Sequence, residues 1–351
     1  MTTPRQILEL LLAGRSLSEG EAAALLSMLT APDLEPAMAG ALLAALRAKG
    51  VTAGEVRGFA GAMRKLARKP ALPANPGAAD AIDIVGTGGD ASGSLNLSTG
   101  AALLAAACGL PVIKHGNRGV SSRCGSADLI EALGFTLPLD EIAAARCFAA
   151  TGFTFLFAPY YHPAMKAVAP IRAALGIRTV FNMLGPLTNP GAPRFLLIGA
   201  YDAATAELMA GTLAGMQVER AWVVHGAAGW DEATPIGPFL AFDVVGQQVS
   251  QSEVDPREFG IARCRSNELL GGDATANFAA LIDVFEGRDR GPHLDALVLQ
   301  CGIALMIAGR VHTIAAGIVR ARSAIDSGTA RSWLKQLQDF AAAQSGAQGR
   351  A

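Results

Sequence analysis

From residue 4 to about 69, apolar residues recur at three- and four-residue spacing, which predicts several short amphipathic helices in succession. Polar start signals sit where such helices would begin: Ser16 to Glu19 supplies capping residues, Glu21 lies three residues after Ser18, and Thr52 with Glu55 repeats that capping-box spacing. Residues 68 to 79 are rich in Pro, Ala and Gly and read as a linker. Beyond it, short apolar runs alternate with helical patterns. Strands are expected at 82–85, 111–114, 153–158, 195–200 and 220–225, and helices at 99–108 (closed by Gly109), 127–133 (closed by Gly134), 141–150 and 203–216. Such alternation predicts an α/β domain with helices on both sides of a largely parallel sheet. Residues 274–285 and 294–308 are again helical, and 341–351 reads as a frayed tail. The expected organisation is a small all-helical N-terminal domain, residues 1–73, followed by a larger α/β domain, residues 74–351.

Composition narrows the function. The chain has 351 residues, 51% of them apolar, enough for a substantial core. Lys plus Arg (29) and Asp plus Glu (30) nearly cancel, so no basic field favours a nucleic-acid partner. The five cysteines are spread widely without a C-x-x-C pair, which suits reduced thiols in a reducing compartment better than a disulfide frame or zinc site. The N-terminus lacks the basic n-region and cleavage site of a secretory signal. The apolar stretches 100–112 and 297–308 fall short of the roughly 20 residues that cross a membrane. A cytoplasmic, soluble protein is expected.

Two loops carry candidate chemistry. Gly86, Thr87, Gly88, Gly89 and Asp90 follow the first strand directly, and glycines let backbone N–H groups converge on an anion. Asn96, Ser98 and Thr99 open the next helix, whose free N–H groups and dipole face the same space. Alone, this is more readily an ordinary tight turn with Ser98 as an N-cap. It has neither P-loop nor dinucleotide-fingerprint spacing. One βαβ unit later, Lys114, Asn117, Arg118, Ser121 and Ser122 place cation, amide and hydroxyl donors at the same carboxyl edge of the sheet, a set suited to a second phosphate and a sugar. Asp231 and Glu232 follow the strand at 220–225; adjacent carboxylates can hold Mg²⁺, although most Asp-Glu pairs are solvated.

The order GTGGD, NLST, KHGNR and GSADLIEALG within 83–134 resembles the anthranilate phosphoribosyltransferases. The resemblance continues through 155–159, 162–165, 170–172, 175–179, 181–190, His225-Gly226 and Asp231-Glu232, and covers most of the chain. It implies that residues 170–190 also contribute to the helical domain, that the chain forms a homodimer through that domain, and that it acts in tryptophan biosynthesis with Mg²⁺. It implies that Asp231 and Glu232 hold the metal, with Ser98 as a further contact, and that the two loops bind phosphoribosyl pyrophosphate. Anthranilate is then expected against Gly86, His115, Asn117, Gly185 and Pro186, with Arg172 on its carboxylate and Arg178 as the competing cation. The loop after Arg172 is expected at 182–190. His115 is expected to position rather than to act as a base, because the aromatic amine is already neutral; no residue is assigned as acid, base or nucleophile. His162, His293 and His312 show no metal-ligand spacing and are expected in core or surface roles. Gly119, Trp230 and Phe239 depart from the family's usual pattern, Trp230 being expected at the metal-site entrance. The rival readings are a pyrimidine nucleoside phosphorylase, whose second loop is usually of Lys-Met-Ser-Gly-Arg type, and a non-catalytic nucleic-acid-binding relative, which would show a basic excess.

Overall fold

The computed structural model describes residues 3–73, 78–119 and 123–348. Four helices open the chain: Pro4–Leu12, Glu19–Leu29, Pro36–Lys49 and Ala53–Leu66. Both expected capping boxes form, with the Ser18 and Thr52 hydroxyls accepting from the amides of Glu21 and Glu55. Glu55 does more than cap. Fully buried, it accepts from the Leu17 amide at 2.8 Å and from the Lys49 amine at 2.9 Å, tying its own helix to the end of the third and to the loop that enters the second.

A seven-stranded sheet follows: β1 (Ile82–Gly86), β2 (Val112–Gly116), β3 (Phe153–Phe157), β4 (Phe195–Gly199), β5 (Arg220–His225), β6 (Phe239–Val245) and β7 (Gln248–Val254), in spatial order β3-β2-β1-β4-β5-β6-β7. The first five are parallel, and β6 and β7 run antiparallel at one edge. The chain winds outward through β2 and β3, then returns to place β4 on the other side of β1. The carboxyl ends of β1 and β4 therefore flank the switch point, where ligands of open parallel sheets bind. Gly86 and Gly199 are register partners there.

Alternation along the strands divides the core. Leu196, Ile198, Ala221 and Val223 face the four N-terminal helices, while Phe195, Leu197, Trp222 and Val224 face a second cluster built on the helices Leu97–Ala107 and Pro292–Ile307. The helix Pro292–Ile307 is buried on nearly all sides, as its continuous apolar run requires. Helices Met165–Leu175 and Phe181–Leu187 join the N-terminal cluster through Val168, Phe181, Met183 and Leu184.

Several expectations need correction. The segment expected as a loop at 182–190 begins as the helix Phe181–Leu187, with Pro186 inside its last turn. The expected frayed tail is helix as far as Gln348, because Ala330, Leu334, Leu337, Ala341 and Gln344 bury one face. The β6–β7 hairpin was not expected at all. Among the described residues no helix is long and apolar enough to cross a membrane, and all five cysteines are free thiols.

Candidate active site

The acidic pair is seated in backbone. A Cβ on Gly86 would lie 2.3 Å from the Asp231 carboxylate, and one on Gly199 would lie 1.4 Å from the Asp231 carbonyl oxygen. Only bare backbone at the ends of β1 and β4 lets the segment after β5 fold down over the switch point. Gly226 takes the same close approach beneath Glu232.

The glycine loop closes on this pair. The Gly88 amide donates to Asp231 Oδ2 at 2.6 Å, the Asp231 amide donates to Asp90 Oδ2 at 3.3 Å, and the Ser98 amide donates to Glu232 Oε1 at 3.0 Å. Thr87 secures the loop instead of facing a ligand: its amide donates to the Gly199 carbonyl at 2.9 Å, and its hydroxyl accepts from the Tyr201 amide. Ser98 lies within the helix Leu97–Ala107, and Asn96 takes the cap position without a side-chain cap bond. Thr99 is buried behind them.

Burial holds both acidic carboxyls above their usual range, with repulsion from Asp90 next for Asp231 and repulsion from Asp231, then Asp90, next for Glu232. Buried carboxylates that raise one another in this way are stabilised by a cation, and the oxygen donors suit a hard one. Among the described residues no three acidic, His or Cys side chains form a ready metal cage. The fit is therefore to Mg²⁺ held by one or two carboxylates with the remaining ligands from substrate phosphate and water, that ion's usual habit.

Lys114 is not on the loop surface. It is 1% exposed, its amine donates to the Ile84 carbonyl at 2.5 Å, and it lies between the charges of Asp83 and Glu232. Burial pushes Lys114 down and Asp83 up, to about 6. Asn189, which the sequence did not single out, donates to Asp83 at 2.8 Å and to the Ile113 carbonyl at 2.8 Å. Asn96 connects the two loops, donating to the Cys124 carbonyl at 3.1 Å, and the buried Asn277 holds it from behind at 2.8 Å. Arg118 turns outward to Asp128 and Glu131, over the Phe157 ring. Asn117 is exposed, with its side-chain oxygen on the Arg118 amide. Ser121 and Ser122 lie outside the described residues.

His115 Nδ1 meets the Gly185 carbonyl at 3.1 Å, joining the end of β2 to the helix Phe181–Leu187, where Gly185 is exposed and Pro186 buried. Its ring stands edge-on to His162 at 5.0 Å. His162 therefore belongs beside the site. Nothing in the sequence paired it with His115, 47 positions earlier; only the fold does. Burial lowers His115 to about 3 and His162 to about 4, so both are neutral near pH 7. His293, by contrast, pairs with Asp289 away from these residues.

Arg172 is half-buried over the Phe181 ring at 5.5 Å and makes no ion pair with another described residue. Arg178, the competitor, is committed: its guanidinium donates to the Gly89 carbonyl and stacks 3.9 Å over the Tyr201 ring. Trp230 is not at the mouth of the site but 5% exposed within the core.

Residues 5–67 match the glycosyl transferase family, helical bundle domain, and residues 78–331 the glycosyl transferase family, a/b domain. An anthranilate phosphoribosyltransferase of Rubrobacter xylanophilus is 43% identical over 333 residues, covering 95% of this chain and 96% of that protein. The crystal structure of the Thermus thermophilus anthranilate phosphoribosyltransferase superposes with a TM-score of 0.88 at 38% identity, covering 95% of this chain and 99% of that one. The Saccharomyces cerevisiae enzyme, solved in complex with PRPP and Mg, gives 0.82 at 26% identity, covering 97% and 94%. With a helical bundle set against a switch point that seats an acidic pair on bare glycine backbone, and with identity sustained over almost its whole length, the chain belongs to the anthranilate phosphoribosyltransferase family.

Proposed function

We propose that this protein transfers the 5-phosphoribosyl group of phosphoribosyl pyrophosphate to the amine of anthranilate, giving N-(5-phosphoribosyl)anthranilate and pyrophosphate in tryptophan biosynthesis. The observation that carries this reading is the Gly88 amide and the Asp231-Glu232 pair meeting at the β1/β4 switch point. One turn there offers backbone donors for a diphosphate, and the next offers carboxylates for its counter-ion.

Each group has a place in the reaction. The exposed Gly88 and Gly89, with Asp90, Asn96 and the start of the helix at Leu97, receive the diphosphate of the donor substrate; Lys114 supplies positive charge from behind, and Thr87 and Thr99 keep the cradle rigid. Asp231 and Glu232, with Ser98 nearby, would hold Mg²⁺, which when bound would supply positive charge to neutralise the departing pyrophosphate. Asn117, with Ser121 and Ser122, completes the ribose side, while Arg118, paired outward with Asp128 and Glu131, braces that loop. Arg172, free of other ion pairs among the described residues, takes the anthranilate carboxylate. Gly86, His115, Gly185 and Pro186 shape the aromatic slot; neutral His115 orients the ring and does not compete for the carboxylate. As the C1–O bond breaks, positive charge builds on the ribose and the neutral amine captures C1 from the opposite face. Positioning and electrostatics supply the acceleration, and no covalent enzyme intermediate is needed.

The same reading takes the helical domain as residues 1–73 with help from 170–190, supported by the shared core of Val168, Phe181 and the N-terminal helices. It takes the working form as a cytoplasmic homodimer that meets neither nucleic acid nor membrane. The test is the loss of anthranilate fluorescence on mixing protein, phosphoribosyl pyrophosphate and Mg²⁺. Turnover dependent on all three is expected. Phosphorolysis of thymidine without anthranilate turnover would favour the phosphorylase instead.

A further inference from the structure

Beside the acidic pair, between the sheet and the helix Pro292–Ile307, lies a partly open space of about 10 Å³ lined by Asp231, Glu232, Ser98 and Gln300, with Ile84 and Val224 among its apolar neighbours. That is room for about one water. Gln300 is the one polar residue among the buried positions of this helix. Leu299, Cys301, Leu297, Ile303 and Ala304 around it are apolar and fully buried; Gln300 is 3% exposed, and its amide Nε2 has no hydrogen-bond partner in the protein. A buried amide donor needs an acceptor, and the acceptors lining the same space include the two carboxylates and the Ser98 hydroxyl. From the loop side they are held by Gly88, Ser94 and Ser98, Lys114 lends its charge to Glu232, and Gln300 is the polar side chain of this helix that lines the space with them.

We infer that Gln300 is a positioning residue for the metal site: its amide donates to one water lodged in this space, and that water donates to the Asp231 and Glu232 carboxylates, fixing their aim toward the diphosphate. The inference rests on the reading of that pair as the metal ligands. Groups that orient metal ligands are usually worth 10–100-fold in metal affinity.

Gln300→Met keeps the shape and removes the donor. The probe is the Mn²⁺ complex of phosphoribosyl pyrophosphate, its affinity for the protein read by water-proton relaxation. An affinity about tenfold weaker is expected, with the anthranilate KM and the thermal midpoint unchanged. A folded Gln300→Met protein with wild-type affinity overturns the inference. Asp231→Asn, run alongside, separates the two claims: its weakening with Gln300→Met unaffected removes only Gln300, whereas wild-type affinity in Asp231→Asn removes the pair's role and this inference with it. Should Gln300→Met fail to fold, a high-resolution crystal structure of the unaltered protein decides. It is expected to show an ordered water between Gln300 Nε2 and a carboxylate, and direct apolar packing there would overturn the inference.

Discussion

The Gly88 amide donates to the Asp231 carboxylate at 2.6 Å across 143 residues of sequence. The phosphate loop and the acidic pair are therefore one unit, and displacing either changes both. Gly199 is the most direct way to displace the pair, since an added Cβ would meet the Asp231 carbonyl oxygen at 1.4 Å, and a backbone atom cannot step aside as a flexible side chain does. Gly199→Ala is expected to lose about 1–3 kcal/mol in urea unfolding through overpacking, and to need severalfold more Mg²⁺ for half-maximal rate. Wild-type values of both would contradict the seating described.

Arg172 and Arg178 make opposite predictions. Arg172 has no other ion pair among the described residues, so Arg172→Ala removes a charged hydrogen bond of about 1.5–3 kcal/mol. The anthranilate KM should rise about 10- to 100-fold, with little change for phosphoribosyl pyrophosphate. Arg178 holds the Gly89 carbonyl, so Arg178→Ala should act mainly on the phosphoribosyl pyrophosphate KM. Steady-state kinetics with each substrate varied checks both; equal damage to both KM values in Arg172→Ala would remove its assigned role.

How far these features could be read in the chain depended on whether they are local. The glycine loop, the five parallel strands and both capping boxes announce themselves within a few residues, because each rests on backbone chemistry and short-range pattern. The β7 strand QVSQSEV carries almost no apolar alternation, since all but its last residue is exposed at the sheet edge, so nothing marked it. The last helix was legible in principle. Ala330, Leu334, Leu337 and Ala341 repeat at helical spacing, but the Ala-, Gln- and Ser-rich end obscured them. The supporting residues Asn189, Asn277 and Gln300 were not legible, because each matters through a partner between 76 and 181 residues away or through a cavity that only the fold creates.

Glu55 offers a stability test away from the chemistry. Removing it leaves the Lys49 amine, only 5% exposed, without its counter-charge and the Leu17 amide without an acceptor. Glu55→Ala is expected to cost about 3–5 kcal/mol, as for other buried pairs broken from one side. Urea unfolding measures it, with both KM values near wild type in the protein that remains folded; a loss under 1 kcal/mol would show that Glu55 is dispensable.

His115 gives a pH test. Burial, then the neighbouring His162, lowers its pKa from 6.5 to about 3, while the Gly185 carbonyl opposes the shift. The unfolded chain binds a proton below about pH 6.5 that the folded chain does not. The contribution of His115 to stability is therefore complete above pH 6.5 and is lost as pH falls from there toward 3. Imidazole NMR should show a neutral ring, protonated on Nδ1, at pH 5.5. A titration midpoint near 6.5 would refute the buried, carbonyl-bound placement.

In the proposed function the glycine loop and the acidic pair grip one metal diphosphate. A crystal structure of the protein grown with Mg²⁺ and phosphoribosyl pyrophosphate tests it most directly. An ion is expected about 2.0–2.1 Å from a carboxylate oxygen of Asp231 or Glu232, with a diphosphate against the Gly89 amide, next to the Gly88 amide that holds Asp231. A diphosphate bound elsewhere, or an ion that ignores both carboxylates, would contradict it.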